Sequence, residues 1–389
     1  MKPLVRIFLL VLLANSLFGQ KLSDEATISV VTFGPFQGEL FSAFGHSAFR
    51  VYDPALRIDD AYHYGVFDFD QPNFYLNFAR GYLYYSLGTN DYQPFRNYYI
   101  HYNRKVHEQV LNLTAVQKQK LYDYLQWNAL PENVHYRYDY FYNNCATKIR
   151  DVVIEALGKE VKFDGSYITT DYTIRELTDI YLKHQPWGDL GIDIGLGLPI
   201  DKKAAPSEYM FLPDYVESGF DHASIQQNGS AVPLVREKIL VYDSREEELP
   251  GGPPHPLIVF SIFSMICLAI SILDYKRKKL SSWLDVILFG STGIVGALLL
   301  FLWLFTDHND SAYNFNLLWA MPTNLIAVGA FIKKSSWLKK YFLAVAILLG
   351  LLLATWWALP QALNTALIPL AASLLIRSSL NYVLRKPAV

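Results

Sequence analysis

The sequence predicts an α+β domain followed by an all-α transmembrane bundle of five helices. Three observations carry this expectation. Hydrophobic residues make up 52% of the 389 positions, yet the first two-thirds of the chain is polar and tyrosine-rich while the last third is almost continuously apolar. Short β-rich runs crowd the N-terminal part ahead of the helical runs, which separates strands from helices. After residue 255, apolar segments recur at close to the roughly 20 residues that a bilayer core requires. With a net charge of −2 and no Lys/Arg run in the N-terminal region that resembles a phosphate-binding stripe, nothing suggests nucleic acid as a partner.

Residues 1–20 read as a secretory signal peptide: Lys2 and Arg6, an apolar run from Ile7 to Leu13, then Ala14, Asn15, Ser16 and Gly19. A retained anchor is the alternative, although the run is short for a span. Residues 21–249 form the exported domain. Strands are expected at Thr27–Phe33, Ala48–Tyr52, Ala61–Phe69, Tyr82–Leu87, Lys105–Leu113 and Val235–Tyr242. Thr114 is placed to cap a helix from Ala115 to Asn128, and a second helix-like run goes from Ala146 to Leu157. Residues 184–233, rich in Gly, Pro and Asp, read as irregular with one or two helical turns.

Residues 250–255 (PGGPPH) are a stiff linker. Domain 256–389 carries five apolar segments at about 256–273, 283–305, 316–332, 341–358 and 361–379. The loop Tyr275-Lys276-Arg277-Lys278-Lys279 is basic, as are Lys333-Lys334, Lys339-Lys340 and the tail with Arg377, Arg385 and Lys386. Loops 306–315 and 359–361 hold no Lys or Arg. Positive charge marks the cytoplasmic side, so domain 21–249 and loop 306–315 are expected outside.

Cys145 is the centre of the chemistry. It follows Asn143-Asn144 and precedes a helix, where unpaired N–H groups and the macrodipole favour thiolate. The other cysteine, Cys267, lies in an apolar segment, so the two are not expected to pair. A lone cysteine also occurs as a small buried hydrophobe, and a lone histidine as a structural residue. A lone thiol with a candidate base is equally a nucleophile hypothesis. The base is His46, leading into one strand, and His63 on the next strand would orient it. Tyr64 or Asp53 are alternatives for that third role. N–H groups at the start of the helix would hold an oxyanion. The order His, polar residue, Cys reverses that of papain and fits a circularly permuted papain-like (NlpC/P60-like) domain. Asn144 and Tyr64 are candidate substrate contacts. So are His308, in an external loop rich in Asp and Asn, and Asn316, beside Trp319 and Pro322; a solvated loop is the plainer account of His308. Tyr75, Phe78, Tyr82, Tyr84 and Tyr85 read either as a half-buried sheet face or as a surface for a lipid chain. No HExxH or paired-cysteine spacing occurs, so no metal is expected, and no cofactor.

The motifs FGHSAFRVYDP, Tyr64–Phe69, Phe78-Ala79-Arg80-Gly81 and YNNCATKIRD, with TDHNDSAYNFNLLWAMPTN further on, resemble the Lnb N-terminal periplasmic domain family and its membrane region. The resemblance implies a lipoprotein N-acyltransferase of the bacterial inner membrane, multi-pass, with its catalytic domain in the periplasm. Such an enzyme would be similar to permuted papain-like and lecithin:retinol acyltransferase-like thiol enzymes. It would pass an acyl chain from a phospholipid, through Cys145 with His46 as base, to the N-terminal amine of a diacylglyceryl lipoprotein. Relatives with Asn or His at the third position lend His63 support. The runner-up is a membrane-anchored cysteine peptidase or amidase acting on cell-wall peptides, for which one anchor would suffice. A third reading is a non-enzymatic membrane receptor or assembly factor.

Overall fold

The structure is a computed structural model that describes residues 20–245, 251–332 and 335–385. The expected signal peptide lies outside them apart from Gln20, as do Pro250, Lys333, Lys334 and Lys386. The chain forms two compact units. One is built from Met1–Phe74, Tyr82–Asp171 and Ala204–Glu248; the other takes Tyr75–Gly81, Tyr172–Lys203 and Leu249–Val389. The second unit thus draws two segments from the stretch that the sequence treats as one continuous exported domain.

The first unit is mixed α/β around a sheet. Its strands are β1 (Thr27–Phe33), β2 (His46–Asp53), β3 (Ile58–Val66), β4 (Tyr84–Asp91), β5 (Val106–Leu111), β6 (His135–Arg137) and β10 (Val235–Tyr242). They run antiparallel in the order β10-β5-β1-β2-β3-β4-β6. A separate three-stranded sheet joins β7 (Val161–Lys162), β8 (Ser224–Gln227) and β9 (Ser230–Pro233).

Alternation along the strands gives the main sheet two apolar faces. Ile28, Val30, Phe49, Val51, Tyr62 and Tyr64 pack with Leu121, Tyr122 and Leu125 of one helix and Ile149, Val152, Val153 and Leu157 of another. On the other face Val31, Phe33, Ala48 and Ala61 pack with Tyr92 and Tyr99. Segment 74–80 forms helix α1 (Phe74–Arg80), and the Tyr92 segment forms α2 (Tyr92–His101). The first packed helix is α3 (Ala115–Asn128), where Thr114 and Gln117 close a reciprocal capping box. The second is α4 (Thr147–Leu157), held by its i, i+3, i+4 and i+8 apolar positions. Each such side chain contributes about 1.5–3 kcal/mol on burial.

The expectation of an irregular 184–233 is corrected. That stretch holds α6 (Pro186–Gly195), which follows α5 (Ile174–Leu182), then α7 (Pro213–Asp221) and the β8–β9 hairpin. Pro186 and Pro213 sit in the first helical turn, where a missing N–H costs nothing.

Among the described residues of the second unit, three helices are long and apolar enough to cross a membrane: α8 (Pro256–Arg277), α9 (Ser282–Phe305) and the segment Thr365–Leu384, which contains α12 (Ile368–Leu384). The other two expected spans are shorter. α10 (Thr323–Ile332) has 10 residues, because Pro322 and the preceding 3₁₀ turn Phe315–Leu318 interrupt the apolar run; α11 (Leu338–Ala354) has 17. Arg377, fully buried, ties the bundle by ion pairs to Asp285 at 2.6 Å and Asp274 at 2.8 Å. A buried cation in such a setting is tolerable only with partners of this kind.

Before the spans, α5 and α6 are fastened to this unit. Arg175 pairs with Asp193 and Asp201 at 2.6 and 2.9 Å. Asn316 donates to the carbonyl of Asp193 at 2.9 Å, and Asn364 donates to both Asp189 and Asp193 at 3.0 Å.

Candidate active site

His46 is the first residue of β2 and pairs in register with Phe33; His63 on β3 pairs with Ala48. The two imidazoles meet at 3.3 Å, Nε2 of His46 to Nδ1 of His63. Nε2 of His63 lies 2.9 Å from Oδ1 of Asn90 on β4. A carbonyl oxygen only accepts, so Nε2 of His63 carries the proton and its Nδ1 accepts from Nε2–H of His46. That relay leaves Nδ1 of His46 as the basic nitrogen. Gly88 faces His63 in register, and a Cβ there would stand 2.6 Å from Nε2, so the site needs a residue without one.

Helix α2 roofs the histidines. The Tyr99 ring lies nearly parallel to His46, with centroids 6.1 Å apart, and stacks on Phe33 at 3.8 Å. Phe95 covers His63 at 4.5 Å. The guanidinium of Arg104 sits 4.7 Å from the Tyr99 centroid; its Nε donates to Gly34 O at 2.7 Å, while Nη2 is buried and has no hydrogen-bond partner among the described residues.

Cys145, just before α4, is a free thiol, as is Cys267. Backbone N–H groups of Cys145, Ala146 and Ser47, the residue after His46, interact with its sulfur. Burial nevertheless pushes the thiol up to about 11, against those N–H groups and the Arg104 charge. The sequence-based expectation of a favoured thiolate is therefore corrected: loss of water outweighs the dipole. His46 is held well below its usual value, by burial first and then by His63 and Arg104. His63 is lowered by burial. The resting pair is a thiol and a neutral imidazole.

The structure brings Cys145, His46 and His63 into one unit, and it gives the other four candidates hydrogen-bonding work. Asn144 Oδ1 accepts from the N–H groups of Ala146 and Thr147, both at 2.9 Å, and its Nδ2 donates to the carbonyls of Tyr140 and Phe211. It caps the helix that carries the thiol. Tyr64 is buried and donates to Asn128 at 2.6 Å. His308, in the second unit, approaches Phe78 O at 3.0 Å. Asn316 is fully buried, holding Asp193 O and accepting from the Trp319 indole. A cavity of about 400 Å³ lined by Thr32, Gly34, Lys105, His107 and Glu217 includes none of the three central residues.

Asn90, Arg104 and the aromatic roof escape the sequence reading. The Tyr92, Phe95, Tyr99 spacing is the signal that would have found α2, and the strand's continuation past Leu87 would have reached Asn90.

Residues 19–179 match the Lnb N-terminal periplasmic domain, and residues 247–387 match the Lnb transmembrane domain. The chain belongs to the Lnb family. Membership makes it a membrane-bound enzyme of lipoprotein processing with a periplasmic domain. Comparison of this Lnb chain with curated proteins and with solved structures gives no match. In the Lnb domains, His46, His63 and Cys145 all fall inside the periplasmic match, as do Asn90 and Arg104.

Proposed function

We propose that the chain is a thiol acyltransferase of the bacterial inner membrane. It moves an acyl chain from a phospholipid to the N-terminal amine of a lipoprotein. The observation that supports this most is the Asn90–His63–His46 relay together with a free Cys145 thiol whose sulfur meets the N–H of Ser47, the residue after His46, in a chain that carries both Lnb domains.

With the thiol at about 11, roughly one molecule in ten thousand is ionised at pH 7. Attack and deprotonation are therefore coupled. Nδ1 of His46 takes the thiol proton as sulfur bonds to the ester carbonyl carbon. The N–H groups of Cys145 and Ser47 are the candidate donors to the resulting oxyanion, the Ala146 N–H being held by Asn144 Oδ1. Collapse breaks the acyl C–O bond, and His46 returns the proton to the departing lysophospholipid oxygen. The neutral α-amine of the lipoprotein then attacks the thioester. Its proton passes to His46, the C–S bond breaks, and the proton returns to sulfur, leaving an amide and the free thiol.

The test is mass spectrometry of the purified chain after incubation with phospholipid alone. The expected result is an acyl mass on the Cys145 peptide that hydroxylamine removes and that is missing in His46→Ala. No adduct on a demonstrably free Cys145 overturns the lipid-donor reading and points to cell-wall peptides as substrates.

A further inference from the structure

Helix α1 lies within the periplasmic family match, yet residues 75–81 belong to the compact unit that holds the spans. Their attachment is specific. The carbonyl of Arg80 accepts from the N–H of Asp307 at 2.9 Å, and the carbonyl of Phe78 accepts from Nε2 of His308 at 3.0 Å. Gly81 adopts φ +80°, and a Cβ there would stand 2.8 Å from Asp307 C and 2.9 Å from His308 N. Only glycine permits so close an approach.

Asp307 is two residues beyond Phe305, the last residue of α9. A helix fastened there stands at the depth where a spanning helix leaves the hydrocarbon. The loop has no Lys or Arg, which puts it on the outer side. The surroundings suit that level: Leu304 and Phe305 are exposed, and the Trp303 ring lies tilted against Tyr313 with centroids 5.1 Å apart. On α1, Tyr75 is 76% exposed, Leu76 55% and Phe78 41%. Aromatic rings concentrate at the headgroup level because one end of the ring is apolar and the other tolerates water.

We propose that α1 is a membrane-interface foot whose Tyr75, Leu76 and Phe78 side chains enter the outer-leaflet phospholipid at the headgroup–acyl boundary. The foot interrupts the chain between β3 and β4, the strands that carry His63 and Asn90. It stands whether or not Cys145 carries an acyl chain.

The test uses full-length protein with Leu76→Cys in a Cys145→Ser, Cys267→Ser background, labelled with the fluorophore NBD. The labelled protein is reconstituted into vesicles of phosphatidylethanolamine and phosphatidylglycerol. The expected result is blue-shifted emission, quenched about twice as strongly by a lipid nitroxide near the headgroup as by one near the bilayer centre. Gly81→Ala should reduce that quenching. Water-like emission without quenching overturns the proposal. So does stronger quenching from the bilayer centre, or a blue shift that depends on protein concentration and not on the lipid nitroxide, which would indicate a second copy of the chain.

Discussion

Nε2 of His46 lies 3.3 Å from Nδ1 of His63, so one histidine orients the other. The relay ends on a neutral amide, Asn90, and not on a carboxylate. Asn90→Asp would place a negative charge at the end of the relay and favour imidazolium. The wild-type His46, held well below its usual value, should keep acyl-thioester formation active below pH 6.5. In Asn90→Asp the acid limb should move to higher pH, because the base is lost to protonation earlier. Superimposable pH profiles would count against the relay.

Arg104 supplies positive charge near the Cys145 sulfur and favours its thiolate against burial. Removing that charge in Arg104→Gln should make the thiol still harder to ionise and slow its alkylation by iodoacetamide at pH 8. The thiolate fraction sets that rate, and it falls about tenfold for every pH unit by which the thiol is raised. Arg104→Lys should recover part of the rate. Equal rates in all three proteins would leave Arg104 a packing residue on Tyr99.

Gly88→Ala tests the space beside His63. The added methyl group would stand 2.6 Å from Nε2 and must push the ring or the strand aside. A displacement near 1 Å at such a site costs on the order of 10²-fold in rate. Thioester formation should fall by about that factor while thermal stability changes little. A fully active Gly88→Ala would show that the ring position is not critical.

Asp179, Asp189 and Asp193 converge so that one oxygen from each lies within 4.8 Å of the others. Burial comes first, and neighbouring carboxylates add to it. Together they push Asp179 up to about 8 and hold Asp189 above the usual carboxylate range. Between about pH 4, where these groups ionise in the unfolded chain, and pH 8, the folded state binds more protons than the unfolded one. Stability therefore falls as pH rises through that window. Asp179→Asn should raise the thermal midpoint by about 2–4 °C at pH 8 and leave it unchanged at pH 5. Equal effects at both pH values would refute proton retention as the cause.

How much of this is legible in the sequence depends on how local each cause is. Thr27–Phe33 and Ala115–Asn128 can be read to the residue, because a short β-branched run and an N-cap threonine are local signals. His46 and Cys145 can be found because each sits at a strand or helix boundary that the sequence marks, and His63 because it lies in the next strand along. Asn90 escapes because β4 runs past Leu87, where its apolar pattern fades. The protonation of Cys145 is misjudged from sequence because the helix terminus is local, whereas the burial that overrides it comes from distant segments. Residues 172–203 read as part of the exported domain because their anchors, Asn316 and Asn364, lie more than a hundred positions further on.

That last arrangement sets an order of events during synthesis. The segments 75–81 and 172–203 leave the ribosome well before the spans that receive them. His308 closes on Phe78 across 230 positions. Early segments must therefore wait outside the membrane, with Arg175 and the Asp189–Asp193 carboxylates already made, until Asn316 and Asn364 arrive. A chain stopped at residue 245 would carry the thiol and both histidines but would leave those early segments without their docking site. The membrane segments are, in this sense, the last step in folding those two early segments.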